Sequence, residues 1–176
     1  MIISVWNMKG GVGKTHLSLA LAKDLNLKYY TNENNFLEDT ILLKDDTKIA
    51  DAAIFDFGGF VDKIANYLKI SDLIIVPTTR DKLALLKTYE TLKIIESINK
   101  NIIIVVTKNK NHFQDETFKM LEKINKNQYK TFLLNESNIF QKSLEENVSV
   151  WQLSCNFAYK NKTITVQYKE LLDFFN

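Results

Sequence analysis

Lys9-Gly10-Gly11-Val12-Gly13-Lys14-Thr15 joins an apolar stretch, Ile2 to Trp6, to a segment whose apolar residues recur at helical spacing. Three glycines in four residues permit backbone with positive φ and remove Cβ atoms, so successive N–H groups can converge on an anion at a helix N-terminus. The stretch predicts a phosphate cradle between a strand and a helix beginning near Lys14. Lys14 would lie along the β- and γ-phosphates, and the Thr15 hydroxyl would ligate Mg²⁺. The usual phosphate-loop pattern, G-x-x-x-x-G-K-[ST], asks for a glycine at position 8, where Met8 stands. A second lysine, Lys9, lies inside the loop instead.

Outward from the loop, Leu17, Ala20, Leu21 and Leu25 give the first helix one apolar face. Leu27 to Thr31 reads as a short strand, and Asn32 to Ala50 as either a small helix or a loose excursion with an apolar patch at Ile41 to Leu43. Ala52 to Phe57 is a buried strand ending in Asp56-Phe57-Gly58-Gly59. Ile70 to Pro77 is another, followed by a long helix marked by Leu85, Tyr89, Leu92 and Ile95. The five consecutive β-branched residues Ile102 to Val106 predict a central strand covered on both faces. Phe118, Leu121 and Ile124 describe a helix whose other face carries lysines, Thr131 to Leu134 a short strand, and Ile139 to Leu144 a further helix. Ile164, Tyr168, Leu171 and Phe175 form the stripe of the last one. Strands alternating with helices over residues 1–176 predict one α/β domain, a doubly wound and mostly parallel sheet flanked by helices. Ligands in such sheets bind beyond the carboxyl ends of the strands, where both the glycine-rich loop and the Asp56 turn fall.

Composition narrows the chemistry. With 176 residues the chain can bury an ordinary core, and a net charge of +2 with pI near 8.5 permits contact with nucleic acid without requiring it. Nearly all the basic residues are lysine, Arg80 being the sole arginine, as coding bias from an A+T-rich genome would give. One cysteine, Cys155, excludes an intrachain disulfide and any site built on cysteine pairs; Cys155 and Trp151 read as packing residues. Met1 leads into a strand without a secretory segment, and no apolar run approaches the roughly 20 residues of a membrane span. Cytoplasmic residence is the expectation.

The form K-G-G-x-G-K-T resembles the "deviant" P-loop of the ParA/MinD family of ATPases. The likeness extends over the chain through the Asp56 turn, the Asp72-Leu73-Ile74-Ile75-Val76-Pro77 strand and the stretch from Phe140 to Leu153. It implies ATP and Mg²⁺ as ligands, with Lys9, Gly10, Gly11, Val12, Gly13, Lys14, Thr15 and His16 around the phosphates. Asp56 would be the Walker B acid that holds Mg²⁺ through water, and Gly58 and Gly59 would stand where the backbone senses the γ-phosphate. Lys9 would be the family's signature lysine, reaching the partner's nucleotide in an ATP-dependent homodimer. The family's Asp-x-Asp element at the end of the second strand becomes Thr31 and Glu33 here, and its following glutamine becomes Asn35. Glu33 is either the acid that polarises the attacking water or an ordinary loop acid. Its extra methylene shifts the carboxylate by about 1 Å or more, a displacement that can cost ~10²-fold in rate, so hydrolysis is expected to be slow.

Asn7 is positioned to brace the loop. Thr107-Lys108-Asn109-Lys110 matches the start of a guanine-reading motif but carries Lys110 in place of its acid, which favours adenine, with Thr107 on the adenine side. The resemblance further implies non-specific DNA binding on the nucleoid by an ATP-bound dimer, a centromere-binding, ParB-like partner, and a role in plasmid or chromosome partition. DNA-contact candidates are Lys108, Lys110, Lys119, Lys123, Lys126 and Lys130, with Lys160 and Lys162; each is alternatively a solvated lysine. Arg80 is either a salt-bridge or a DNA residue, and His16 and His112 lack a cluster for metal binding. A MinD-like membrane-associated regulator and a non-hydrolysing nucleotide scaffold are the alternatives. The acids in Tyr168-Lys169-Glu170-Leu171-Leu172-Asp173-Phe174-Phe175-Asn176 argue against a membrane anchor there.

Overall fold

The computed structural model describes residues 1–34, 39–44, 46–59, 64–110, 119, 121–123, 125, 128–156, 158–160 and 162–175. Its strands are β1 (Ile2–Val5), β2 (Lys28–Thr31), β3 (Ile41–Leu42), β4 (Ala53–Asp56), β5 (Leu73–Thr78), β6 (Ile102–Asn109) and β7 (Lys130–Asn135). They form one sheet in the order β3-β2-β4-β1-β5-β6-β7, with every pairing parallel. The expected doubly wound α/β architecture is therefore present. The central place belongs to β1, whereas β6 lies next to the edge strand β7. A β-branched run reports that both faces are covered, and Ile102 to Val106 are indeed all buried; it does not report distance from an edge.

Successive residues of each strand point to opposite faces and feed two cores. Ile3, Val5, Ile54, Ile75, Ile103 and Val105 lie on one face, under α1 (Lys14–Asp24), α4 (Ile139–Glu145), α5 (Val150–Ser154) and α6 (Thr163–Asp173). Phe55, Ile74, Val76, Ile102, Ile104 and Val106 lie on the other, under α2 (Ile64–Ile70) and α3 (Lys82–Ile95). Residues 119, 121–123 and 125 are helical too, with Leu121 in this second core. Phe118 and Ile124 lie outside the described residues.

Several sequence expectations change. Helix α1 buries every residue from Leu17 to Ala22 rather than one stripe, because the sheet lies on one side and α4 and α5 on the other. Ile70 ends helix α2, which the sequence reading missed, and β5 starts at Leu73. Tyr89 is exposed; the buried stripe of α3 runs through Ala84, Leu85, Thr88, Thr91, Leu92 and Ile95. Part of the 32–50 segment forms β3, pairing in parallel with β2. Cys155 is exposed, not packed. Among the described residues no helix is long and apolar enough to cross a membrane.

Candidate nucleotide and metal site

The carboxyl end of β1 runs through Trp6 and Asn7 into the glycine-rich loop, which enters α1 at Gly13. Gly11 and Gly13 have φ of 75° and 80°, the left-handed region that the sequence pattern anticipated. A Cβ at Gly13 would also sit tightly against Thr107, 3.3 Å from its Oγ1. Thr107 Oγ1 donates to the carbonyls of Val12 (2.8 Å) and Thr78 (3.2 Å), and Lys108 Nζ donates to Gly11 O at 3.1 Å. The end of β6 thus holds the loop from one side.

From beneath, Asn7 does so as expected. Fully buried, it accepts from Lys9 N at 2.8 Å through Oδ1 and donates through Nδ2 to Pro77 O at 2.8 Å and Thr88 Oγ1 at 2.9 Å. Thr91 Oγ1 donates to Asn7 Oδ1 and accepts from Met8 N. Thr88 in turn donates to Thr78 Oγ1. The two threonines that interrupt the apolar stripe of α3 are the ones that tether the loop.

Lys14 projects from the first turn of α1, with Nζ donating to Lys9 O at 3.2 Å. Burial lowers its pKa, and the charges of Asp56 and Glu33 partly offset that shift. Asp56, at the end of β4, is buried; desolvation raises its pKa, while the Thr15 and Tyr29 hydroxyls and Lys14 oppose the rise. Tyr29 OH donates to Asp56 Oδ2 at 2.8 Å, but Oδ1, equally buried, has no hydrogen-bond partner among the described residues. A carboxylate oxygen left open beside Thr15 is what a hard divalent cation requires. No cluster of three acidic, histidine or cysteine side chains suited to a metal exists among the described residues. The Thr15 hydroxyl and the Asp56 carboxylate, the latter directly or through a bound water, would fit a Mg²⁺ completed by phosphate and water, the usual mode for that ion.

The loops after β2 and β4 are interlocked. Asn32 Oδ1 accepts from Gly58 N at 2.9 Å while its Nδ2 donates to Gly58 O at 3.4 Å, and Trp6 Nε1 donates to Gly59 O at 3.0 Å. Glu33 is exposed, its backbone N–H donating to Thr31 Oγ1, and its carboxylate lies over the Gly58 Cα. A methyl group on Gly58 would stand only 1.6 Å from Glu33 Oε1. Asn35 is outside the described residues.

Beside the loop, a cleft of about 280 Å³ is lined by Gly13, His16, Thr107, Lys108, Asn135 and Phe140, among others. Its size and mixed polar and apolar wall suit a nucleoside next to the phosphate cradle. The structure thus brings together Lys9, Gly10, Gly11, Val12, Gly13, Lys14, Thr15, His16, Glu33, Asp56 and Gly58. Lys108 belongs to this group, not to the lysine-bearing helix. Lys110, Lys119 and Lys123 are exposed elsewhere, and Lys126 and His112 lie outside the described residues. Lys130 and Lys162 sit over aromatic rings, of Phe132 and Phe174 and of Tyr159 respectively. Tyr29, Asn32, Trp6, Thr88 and Thr91 were missed. Only Tyr29 left a local trace, a polar-tipped side chain on the same strand face as Thr31.

No protein-family model matches the chain, and no curated protein matches it in sequence. Solved structures do. The chain is similar to the MinD cell division protein of Aquifex aeolicus (TM-score 0.65, 14% identity, 98% of this chain and 97% of that one). It is similar to apo McdA of Cyanothece (TM-score 0.68, 12% identity, covering 97% and 98%). A third is a Borrelia burgdorferi protein described as a plasmid partition protein, bound to AMPPNP (TM-score 0.64, 18% identity, covering 99% and 97%). At such identities the likeness establishes the fold, which is that of the ParA/MinD ATPases.

Proposed function

We propose that this chain is a ParA/MinD-type ATPase that binds Mg-ATP in the loop described above, dimerises on it, and acts in partition of a plasmid or chromosome. The observation that carries this reading is the convergence of Lys14, Thr15 and the open Oδ1 of Asp56 at the carboxyl ends of β1 and β4. When bound, Mg²⁺ would neutralise phosphate charge and orient the γ-phosphate. The chain's own residues supply the rest. The N–H groups of the loop would hold the phosphates and Lys14 would offset their charge. Lys9, whose Nζ donates to Gly10 O at 3.3 Å in the single chain, would swing to a second copy, where a cation beside the partner's phosphates would strengthen the dimer and the transition state. ATP then acts by binding the dimer more tightly than the monomer.

The exposed lysines support non-specific DNA binding as part of this reading. Lys119 and Lys123 stand four apart on one helical face, with Lys110 just after β6. Contacts of this kind are made to phosphates and weaken steeply with salt. A ParB-like partner would stimulate turnover and return the dimer to monomers on the nucleoid. The likeness to a plasmid partition protein supports the cargo class. The test is sedimentation with and without ATP, together with DNA binding at two salt concentrations and Lys9→Ala as control. ATP should raise the mass to that of a dimer and confer salt-sensitive DNA binding on the wild type alone. No change in mass overturns the reading.

One observation favours a second reading. Glu33 is an exposed acid resting on Gly58, and among the described residues no side chain bonds its carboxylate to aim it at a water. A non-hydrolysing nucleotide scaffold would bind ATP and dimerise yet show equal background turnover in wild type and Glu33→Ala, with DNA and the partner present.

A further inference from the structure

Tyr29 stands on β2 one step diagonally across from Asp56 on the same face of the sheet: Tyr29 pairs with Ile54, and Asp56 follows two residues later. Cross-strand diagonals of this kind are within reach of a long side chain. The phenol donates to Asp56 Oδ2 at 2.8 Å, and both residues are buried. The ring fills the core beneath α1, a job phenylalanine would do equally well. The hydroxyl is what phenylalanine lacks.

A carboxylate turns easily about its last torsion, which has broad, roughly two-fold wells. The Tyr29 hydroxyl takes Oδ2, and the Thr15 hydroxyl also lies close enough to favour the charged carboxylate. That leaves Oδ1 as the open oxygen of a buried carboxylate that has the Thr15 hydroxyl as a neighbour. We infer that Tyr29 is a positioning residue for the metal site, fixing the plane of the Asp56 carboxylate so that Oδ1 faces the cation held with Thr15. The inference rests on the Mg-ATP reading above.

Outer-shell partners of metal ligands typically change metal affinity by ~10–100-fold when removed. Tyr29→Phe should therefore raise the Mg²⁺ concentration needed for half-maximal tightening of a fluorescent, non-hydrolysable ATP analogue by about 10-fold. Affinity for the same analogue in EDTA should stay within about two-fold of wild type, because the phosphate cradle is untouched. Mn²⁺ binding in the analogue complex, followed by electron paramagnetic resonance, gives the metal affinity without any turnover. In an Asp56→Ala background, Tyr29→Phe should have no further effect on metal dependence. Thermal unfolding of Tyr29→Phe without metal separates folding from positioning. A lower melting temperature with unchanged Mg²⁺ and Mn²⁺ dependence overturns the inference, as does an equal loss of analogue binding with and without metal. If the wild type binds the analogue with no metal effect at all, the metal reading of Asp56 falls together with it. If the wild type responds to metal and Tyr29→Phe responds identically, only the role of Tyr29 falls.

Discussion

Replacing Asn7 by alanine tests whether the buried network under the loop sets both stability and nucleotide affinity. The side chain accepts from Lys9 N at 2.8 Å and donates to Pro77 O and Thr88 Oγ1 at 2.8 and 2.9 Å, in a site closed to solvent. Thr88 keeps a partner after truncation, since it also bonds Thr78 and Ala84. The Pro77 carbonyl loses the amide that satisfies it. Three hydrogen bonds of 2.8 to 2.9 Å, at roughly 1 kcal/mol each, with ~1–3 kcal/mol for a stranded buried group, give a loss of about 4–6 kcal/mol. Against a total of ~5–15 kcal/mol that is a large fraction, and at about 2–4 °C per kcal/mol it lowers the melting temperature by roughly 15 °C. Lys9 N is also freed, so the loop must be ordered by the ligand itself, and ATP affinity should fall by about 10-fold, or ~1.4 kcal/mol. Asn7→Asp separates the two effects. It keeps an acceptor for Lys9 N but sets a carboxylate against Pro77 O, so stability should fall while the loop stays tethered. Urea unfolding and a nucleotide titration on the three proteins measure both quantities. Unfolding free energy within about 1 kcal/mol of wild type, with unchanged ATP affinity, would refute the reasoning.

Other outcomes follow from the same geometry. Burial lifts the folded pKa of Asp56 above its unfolded value, so this group favours the folded state below the unfolded pKa and ceases to do so as pH rises through the folded one. Asp56→Asn should therefore stabilise the metal-free protein at neutral pH and abolish that part of the pH slope; a less stable Asp56→Asn protein in calorimetry would contradict this. Gly58→Ala puts a Cβ 1.6 Å from Glu33 Oε1 and 2.5 Å from its Cγ, which displaces the side chain. If Glu33 polarises the water, Gly58→Ala and Glu33→Ala should both bring turnover to background with ATP binding retained, and full activity in Glu33→Ala would end that assignment. Lys108→Met, which cuts the tie to Gly11 O, should weaken ATP about 5-fold, equivalent to the ~1 kcal/mol of one hydrogen bond, and leave DNA binding unchanged at saturating ATP. A DNA defect with normal ATP affinity would return Lys108 to the DNA face. Charge reversal of Lys119 and Lys123 should lower the salt slope of DNA binding by nearly one per lost phosphate contact, and an unaltered slope would clear that face of the role.

The loop and the sheet were legible because they rest on local rules. Glycines at positive φ, a lysine and a threonine opening a helix, and β-branched runs buried on both faces need no knowledge of distant residues. What could not be read was set by pairing. Thr88 and Thr91 look like faults in an apolar stripe until α3 is laid under the loop, where their hydroxyls meet Asn7. Lys108 looks like one more lysine in a lysine-rich chain. Its φ of 52°, at the register shift between Val106 and Asn109, is consistent with its reach to the Gly11 carbonyl. Tyr29 acquires meaning only from its register against β4. Helix α2 is seven residues long, with Ile64 and Leu68 as its buried residues, too short for periodicity to separate it from the strand that follows.

That register also gives a physical account of the departure at Thr31. Thr31 is buried and pairs directly with Asp56, and neighbouring strands lie about 4.8 Å apart. An acid at Thr31, as the family's Asp-x-Asp element would have it, would set two carboxylates side by side in a dry site, where one must hold a proton or be neutralised by metal. Here the position is a hydroxyl, and the hydrogen bond to Asp56 comes from Tyr29 instead. The pocket is left with one buried acid, one open oxygen and the half-buried Lys14. A single carboxylate attracts a bare divalent cation less than two would, so the metal should arrive with the nucleotide and bind weakly without it. Isothermal titration of Mg²⁺ into the nucleotide-free protein should then show no binding below millimolar concentrations, and Thr31→Asp should create such binding while lowering the stability of the metal-free protein. Micromolar Mg²⁺ affinity in the nucleotide-free wild type would be incompatible with a site held by one acid.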